Sequence, residues 1–392
     1  YCFKVNIGYR VWDKSMKEKL FFINNVDWGF TSFRLPIAKQ AIEEGIEVHL
    51  ITELTGKYKS EGLLKNSGII VHNVNFKKGS SNPLYLLSLL FKIFSILKNY
   101  NPEIVHLVTI KSVLIGGLAA RLARINALVL AISGLGYTYI EQGLSAKIRK
   151  TLITFLYKIV FKSKNIFIIF QNKDDKEEIL SKNKDLPHLI IPGSGVDLLK
   201  FKFVEENITQ TPKITMISRL LVHKGVLEFA EAAKLIKEQN VKAQFELIGD
   251  LDFDNPASLS LDQYKKIKES GNVVLKGYIE DIALELENTN LVVLPSYREG
   301  FPKVLIEASA CGRAIVTTDV PGCREAVEHQ NNGLLVPKEN SFELAKAIRY
   351  LIENPNERRN MGLKNRKIAE NRYSINQVVN THIRIYKEIN RE

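Results

Sequence analysis

Lys213-Ile214-Thr215-Met216-Ile217-Ser218-Arg219-Leu220-Leu221-Val222-His223-Lys224-Gly225 reads as an apolar strand, a basic loop and the start of a helix. The same grammar repeats on either side of it. Further strands are expected over Phe245–Ile248, Val273–Leu275, Leu291–Leu294, Ala314–Thr317 and Leu334–Val336. Helices are expected over Lys224–Glu238, Leu261–Glu269, Phe301–Ala310, Phe342–Glu353 and Asn356–Asn371. Short apolar runs alternating with longer helical stretches predict a parallel sheet covered by helices on both faces. Arg219 and Lys224 then lie beside an unpaired helix N-terminus, a place suited to two adjacent phosphates. A solvated loop carrying two ordinary cations is the competing reading of that segment taken alone.

The second segment is Pro295-Ser296-Tyr297-Arg298-Glu299-Gly300-Phe301-Pro302-Lys303-Val304-Leu305-Ile306-Glu307-Ala308, which again leaves a strand and opens a helix. Glu299 falls in the turn at the helix start, and Glu307 follows about two turns later. A carboxylate accepts two hydroxyl hydrogen bonds, which is what a sugar or a ribose offers. Gly300 permits close backbone approach. Glu299 can also be read as an ordinary acid at a helix N-terminus. Glu307, set among Leu305, Ile306 and Ala308, reads as partly buried, and a buried carboxylate needs a reason. A diphosphate site and a polyol site on one Rossmann-like unit are more specific together than either is alone.

The first half runs the same alternation, with strands expected over Leu20–Asn24, Ile46–Leu50, Gly68–His72, Ile104–Leu107, Leu128–Ile132, Ile166–Phe170 and His188–Ile191. Pro36–Gly45 reads as a helix ended by its glycine. Pro83–Leu97 reads as one begun by its proline, with Ser88, Lys92, Ser95 and Asn99 as a narrow polar stripe. The 392 residues are too many for one uninterrupted core. The junction is expected at Phe203–Pro212. This divides the chain into a first domain over 16–202, a second over 203–373, and a terminal helix over 374–392 that packs back on the first. A cleft between two such units is a usual place for a small-molecule site.

With 45% apolar and 25% charged residues, neither a disordered tail nor a fibrous repeat fits. The longest uncharged stretch, Ile125–Ile140, is too short and polar to span a bilayer. Cys2, Cys311 and Cys323 make neither a disulfide framework nor a zinc pair. No signal-peptide pattern appears, so a reducing cytoplasm is expected. Tyr1–Ser15 lacks periodicity, and Met16 is read as the physiological start. The net charge of +12 raises the expectation of an anionic partner without choosing among nucleic acid, a membrane surface and a phosphorylated substrate.

From Ile217 to Pro337 the chain resembles the retaining, nucleotide-sugar-dependent glycosyltransferases of family 4, which have the two-domain GT-B fold. The resemblance is carried by Ser218-Arg219-Leu220 with His223-Lys224-Gly225, by Leu247-Ile248-Gly249 and Leu275-Lys276-Gly277, and by Glu299-Gly300-Phe301-Pro302 with Glu307-Ala308. Cys311-Gly312-Arg313-Ala314-Ile315-Val316-Thr317 and Asn332-Gly333-Leu334-Leu335-Val336 extend it. More narrowly, it is similar to bacterial enzymes that add a hexose or N-acetylhexosamine to an undecaprenyl-diphosphate-linked sugar. The features there are Phe33-Arg34-Leu35-Pro36, Gly134-Leu135-Gly136-Tyr137, Tyr139-Ile140-Glu141-Gln142-Gly143, Val222 before His223-Lys224-Gly225, and Asp254-Asn255-Pro256 with Ser258.

The resemblance implies a UDP-sugar donor and a role for each matching residue. Arg219 and Lys224 would hold the donor diphosphate and neutralise charge as the nucleotide leaves, with Gly29 of the Asn25–Phe30 loop facing it from the other domain. Glu299, Gly300, Phe301 and Pro302 would hold the donor sugar. Glu307 would bind the ribose, and Lys276-Gly277-Tyr278 would lie beside the base. Trp28, Gly134 and Tyr137 would line the acceptor side. No metal and no cofactor are implied where an arginine–lysine pair does the charge work. Asp252 and Asp254 have an acid-pair spacing but are read as loop acids. Many relatives place a histidine after the fourth strand to touch the donor sugar; this chain has Val108-Thr109-Ile110-Lys111-Ser112, so either Lys111 or the loop backbone would take that contact, or the donor sugar differs. His106 is read as a packed strand residue. Front-face transfer is expected, with the leaving phosphate helping to deprotonate the acceptor hydroxyl. Retaining glycosidases instead use carboxylates about 5 Å apart, and azide rescue of Glu299→Ala giving a glycosyl azide would point to that covalent route.

Leu144–Lys164 carries Lys147, Arg149, Lys150, Lys158, Lys162 and Lys164, no acid, and an interleaved apolar set. It and the more apolar Leu84–Leu97 suit an anionic membrane surface, which places the enzyme peripherally on the inner face of the plasma membrane. Both segments also suit helices that cover the sheet and show only cations to solvent. The rival functions are a sugar-nucleotide epimerase, a phosphorylase of the same fold, and an inactive scaffold. Nucleic-acid binding lacks aromatic-studded strands or a basic recognition helix to carry it.

Overall fold

The computed structural model describes residues 18–77, 82–135, 143–181, 185–253 and 255–390. The expected Met16 start, Tyr137 and Asp254 lie outside the described residues. The first half contains β1 (Lys19–Val26), α1 (Asp27–Phe33), α2 (Leu35–Glu43), β2 (Glu47–Glu53), α3 (Ser60–Lys65), β3 (Ile70–Asn73), α4 (Pro83–Tyr100) and β4 (Ile104–Val108). It continues with α5 (Gly117–Leu122), β5 (Ala127–Ile132), α6 (Leu144–Val160), β6 (Asn165–Phe170), α7 (Lys173–Leu180) and β7 (His188–Ile190). The second half has β8 (Lys213–Ile217), α8 (Val226–Glu238), β9 (Gln244–Ile248), α9 (Leu261–Ser270), β10 (Val274–Gly277), α10 (Ile282–Glu287) and β11 (Leu291–Leu294). After these come α11 (Lys303–Ala310), β12 (Ala314–Thr318), α12 (Cys323–Ala326), β13 (Gly333–Val336), α13 (Ser341–Glu353), α14 (Pro355–Ile368) and α15 (Ile375–Ile389).

The strands form two all-parallel sheets, ordered β3-β2-β1-β4-β5-β6-β7 and β10-β9-β8-β11-β12-β13. Parallel strands covered on both faces are continuous apolar runs, and Val292–Leu294 and Ala127–Ile132 are buried throughout. These are two Rossmann-like domains facing one another, the GT-B architecture. In each sheet the strand order reverses once, between β1 and β4 and between β8 and β11. Ligands in open α/β sheets sit beyond the carboxyl ends of the strands at such a reversal. Those ends carry Asn24–Gly29, Thr109, Ser218–Lys224 and Pro295–Gly300, so topology alone aims four loops into one cleft.

The chain passes from the first core to the second between Ile191 and Val196. Segment 203–212 is then tied to the second half, where buried Glu206 meets Arg358 at 2.6 Å. The return is at Ser374, which bridges to Val196. From there α15 buries Val378, Val379, Ile383 and Tyr386 among Leu20, Phe22 and Leu35 of the first half. His106 is a packed strand residue, as read: it is fully buried, its Nδ1 lies 2.5 Å from the Tyr386 hydroxyl, and its ring stacks on His382. Burial, reinforced by His382 and Arg34, holds its pKa well below the ordinary histidine value.

Candidate active site

A cavity of about 1090 Å³ lies between the halves, large enough for a nucleotide-sugar. Its walls include Trp28 and Gly29 from the first half, with Arg219, Lys224, Glu299, Gly300, Phe301 and Pro302 from the second. Eight of the residues singled out in the sequence are thus brought together. Gly134, Lys111, Glu307, Lys276, Gly277 and Tyr278 are not on that wall.

Each cation is held by a carboxylate. Arg219 leaves β8 and gives Nη1 to Asp252 Oδ2 at 2.9 Å, with its guanidinium 5.9 Å from the Trp28 ring centre across the cleft. Asp252 is itself fixed through its N–H to Ser258 Oγ at 3.1 Å. It does lie in a loop, as expected, but as the partner of the arginine. Lys224 closes a short 3₁₀ turn over Val222–Lys224. Gly225 follows at φ +79°, where a Cβ would meet the Pro295 carbonyl at 2.1 Å, so only glycine lets α8 start there. The Lys224 ammonium donates to Glu299 Oε1, which also accepts from Ser296 Oγ at 2.7 Å. The Lys224 and Glu299 side chains are 19% and 12% exposed, so both charges sit in a partly dried site where electrostatics are stronger than in water.

Glu307 lies on α11 behind this wall, buried, with Lys303 Nζ at 3.4 Å. Burial raises its pKa above the usual 4.5 although Lys303 pulls the other way. Lys276, at the end of β10, is bonded to Glu285 at 2.5 Å and lies 3.6 Å from Glu246. Gly277 has φ +66° and accepts the Gly249 N–H at 2.8 Å, while Tyr278 is exposed. Gly134 touches the Glu299–Gly300 loop from the opposite side, its position for a Cβ being 2.9 Å from Gly300 Cα.

In the loop after β4, Lys111 gives its ammonium to the carbonyls of Phe76 and Lys77 at 3.1 and 3.0 Å. Thr109 is the residue of that loop on the cleft wall. It is β-branched, yet its φ is +77°, and its buried Oγ1 has no partner among the described residues. A strained backbone and an unsatisfied hydroxyl at a cavity wall mark a functional position. Sequence reading missed it, because a left-handed threonine leaves no mark in the sequence. Asp27 was missed too. Burial works to raise its pKa, but hydrogen bonds from Thr55, Ser60 and Trp28 outweigh that and keep it below 3.8, fixing α1 to the β2 side of the cleft.

Among the described residues, no three or more His, Cys, Asp or Glu side chains are grouped to hold a metal ion. Two cations each paired with a carboxylate, a further carboxylate behind them, and a wall from the other half form a site that can hold an anion and a polyol together.

Comparison with known proteins agrees with this geometry. Residues 199–368 match the family described as "Glycosyl transferases group 1", and residues 19–172 match "Glycosyl transferase 4-like". The chain is 34% identical over 384 residues to the N,N'-diacetylbacillosaminyl-diphospho-undecaprenol alpha-1,3-N-acetylgalactosaminyltransferase of Campylobacter jejuni subsp. jejuni, covering 94% of this chain and 98% of that one. It is 26% identical over 373 residues to the capsular polysaccharide biosynthesis glycosyltransferase CapM of Staphylococcus aureus, covering 91% and 93%. The crystal structure of Anabaena Alr3699/HepE in complex with UDP-glucose superposes with a TM-score of 0.74 at 20% identity, covering 94% and 99%. That likeness establishes the fold, and the near-full-length relative at 34% identity establishes the family. The chain therefore belongs to the group 1 glycosyl transferases and is a glycosyltransferase with the GT-B architecture.

Proposed function

We propose that this enzyme moves a hexose or N-acetylhexosamine, with retention, from a UDP-sugar to an undecaprenyl-diphosphate-linked saccharide during surface glycan assembly. The observation that carries the proposal is the convergence of Arg219, Lys224 and Glu299 in the interdomain cleft. It is supported by relatives whose names specify undecaprenol-diphosphate-linked acceptors, the Campylobacter enzyme and an Escherichia coli UDP-Gal:alpha-D-GlcNAc-diphosphoundecaprenol alpha-1,3-galactosyltransferase at 27% identity.

In the reaction, Arg219, Lys224 and the α1 backbone around Gly29 take the donor diphosphate. Arriving phosphates replace Asp252 and Glu299 as partners of the two cations, which frees Glu299 to accept donor-sugar hydroxyls beside Gly300, Phe301 and Pro302. Glu307 takes the ribose, and the Lys276–Tyr278 turn flanks the base. The bond between the anomeric carbon and the diphosphate oxygen breaks as positive charge is held against that oxygen. The acceptor hydroxyl attacks on the same face and passes its proton to the departing phosphate. The acceptor lies against Trp28, Gly134 and Tyr137, and Thr109, rather than Lys111, contributes the loop contact to the donor sugar.

The test is a binding and transfer screen of UDP-, GDP- and dTDP-sugars, with undecaprenyl-diphosphate-linked N-acetylglucosamine in micelles as the acceptor probe. One UDP-sugar should bind and be consumed. Binding of none of them sinks the donor assignment and favours an inactive scaffold, while interconversion of the sugar without transfer favours an epimerase.

No helix among the described residues is long and apolar enough to cross a membrane. Peripheral attachment at the inner face of the plasma membrane is supported by the outward sides of three neighbouring helices. Leu84, Leu87 and Phe91 stand on one face of α4, Leu122 on α5, and Ile148, Leu152 and Phe155 on one face of α6, all exposed. Their spacings of three and four residues make continuous stripes. Lys147, Arg149 and Lys150 flank the α6 stripe. Exposed apolar stripes with basic margins fit an anionic bilayer, where each basic residue near the surface contributes about 1 kcal/mol. Co-sedimentation with vesicles containing phosphatidylglycerol should be strong for the wild type and at least ~10-fold weaker for Leu152→Glu/Phe155→Glu. Equal sedimentation of the two proteins removes the proposal.

A further inference from the structure

Glu299 and Gly300 belong to the second half, where the Glu299 N–H donates to the Pro321 carbonyl at 3.1 Å, yet the Gly300 carbonyl is held from the first. Asn172, just before α7, donates from Nδ2 to the Gly300 carbonyl at 2.7 Å. Its Oδ1 accepts the Asp175 N–H at 2.7 Å and so caps the same helix. The Asp175 carboxylate, fully buried, accepts from Asn172 Nδ2 at 2.9 Å, from the Leu135 backbone N–H, and from Arg298 Nη2 at 2.5 Å. Arg298 immediately precedes Glu299. One carboxylate therefore joins the loop after β5, the first turn of α7, and the Glu299 loop of the opposite half.

Other ion pairs cross the same boundary, Arg324 with Asp174 at 3.3 Å and Lys59 with Glu280 at 2.8 Å, but their side chains are substantially exposed. Exposed pairs contribute little. The Asp175–Arg298 pair is different, with side-chain exposures of 0% and 17%. Removing one partner there leaves a charge uncompensated in a dry place. Among the described ion pairs between the halves, the least exposed is thus made one residue from Glu299.

We infer that Asp175 and Arg298 are positioning residues for transfer, setting where Glu299 stands relative to the first half of the cleft. This rests on Glu299 holding the donor sugar. Neither residue touches substrate. Both act through the loop they anchor, and an error of about 1 Å in such a loop lowers turnover by ~10²-fold.

The test uses the full chain with Asp175→Asn, Arg298→Gln, both together, and Arg298→Lys. Hydrogen exchange without ligand should quicken about fivefold or more across 133–135 and 171–175 in Arg298→Gln, although the substitution lies in the other half. With the UDP-sugar that the wild type consumes and the undecaprenyl-diphosphate-linked N-acetylglucosamine probe, kcat should fall ~10- to 100-fold in each single variant. The Kd for UDP should stay within about threefold, because its proposed side-chain contacts lie within the second half and only the Gly29 backbone reaches it from the first. The double variant should be no worse than the worse single, since both substitutions break one interaction, and Arg298→Lys should recover part of the loss. Unchanged exchange, additive losses, or losses that follow a falling Tm overturn the inference. Failure of the wild type to bind any UDP-sugar overturns the donor reading and the positioning role with it. Wild-type activity matched by Asp175→Asn overturns the positioning role alone.

Discussion

Arg219→Ala/Lys224→Ala is expected to lower turnover by at least ~10³-fold. Removing a single preorganised donor from a site where charge develops lowers turnover by about 10²- to 10³-fold. In the proposed reaction both cations face one diphosphate, and its charge grows as the glycosidic bond breaks. The loss should therefore be larger in kcat than in affinity, with the Kd for UDP rising only ~10- to 100-fold. The singles should each lose nearly as much as the double, because the two cations act as a unit. Structure adds a further expectation for Lys224. Its ammonium is the ionic partner of Glu299, whose side chain is 12% exposed. Lys224→Ala leaves that carboxylate with the Ser296 hydroxyl in the drier of the two pairs, whereas the Arg219–Asp252 pair, with side chains 39% and 11% exposed, is more open to water that can take the arginine's place. Lys224→Ala should consequently lower Tm more than Arg219→Ala does. UDP release, isothermal titration with UDP and a thermal melt on each variant check the three expectations. A loss of turnover below tenfold in the double variant would remove the charge-stabilisation argument.

Much of this site could be read from the sequence because its chemistry is local. Arg219 with Lys224, and Glu299 with Gly300, stand at strand-to-helix junctions, where apolar strand, polar loop and amphipathic helix follow one another and the register is legible. The parallel strands were legible for a related reason: buried on both faces, they are near-continuous apolar runs, and β11 lies at Leu291–Leu294 as expected. Helices without a clear stripe were harder. The Asn25–Phe30 stretch was read as a glycine-containing loop, but α1 forms there, where buried Asp27 anchors its first turn. α11 begins at Lys303 rather than Phe301 because Pro302 occupies the N-cap. The α4 stripe of Ser88, Lys92, Ser95 and Asn99 was read as its outward face, yet Leu84, Leu87 and Phe91 are exposed as well. What the sequence hid was whatever depended on distant partners: Asp252 under Arg219, the backbone of Thr109, and the contact of Asp175 with a residue 123 positions away. Periodicity reports on a neighbour one turn away, and these partners are brought in only by the fold.

Gly300→Ala should abolish most transfer activity although it adds a single methyl group. The φ of Gly300 is not in the left-handed region, so alanine meets no backbone strain and the effect is purely one of space. An added Cβ would lie 2.2 Å from the Ser133 carbonyl oxygen, 2.6 Å from its carbon and 2.8 Å from Gln171 Oε1. Two of these are backbone atoms of β5's following loop, pinned by the sheet, so neither a rotamer change nor a small shift relieves the contact. The halves must part there, which breaks Asn172 Nδ2 from the Gly300 carbonyl and draws Glu299 away from Trp28 and Gly29. Misplacement of that size lowers kcat/KM by about 10²-fold or more. The nucleotide contacts proposed for Arg219, Lys224 and Glu307 all lie within the second half, so UDP should still bind within ~3-fold of wild type while transfer collapses, the order of magnitude following from the same geometric sensitivity. Gly62→Ala is the matched control: it sits on α3 with φ outside the left-handed region and nothing within 4 Å of the added Cβ. It should leave both activity and Tm unchanged, or slightly raise Tm through its higher helix propensity. Small-angle scattering should show a larger radius of gyration for Gly300→Ala than for Gly62→Ala. Equal radii with full transfer activity would mean that the Glu299 loop does not need the first half at its back.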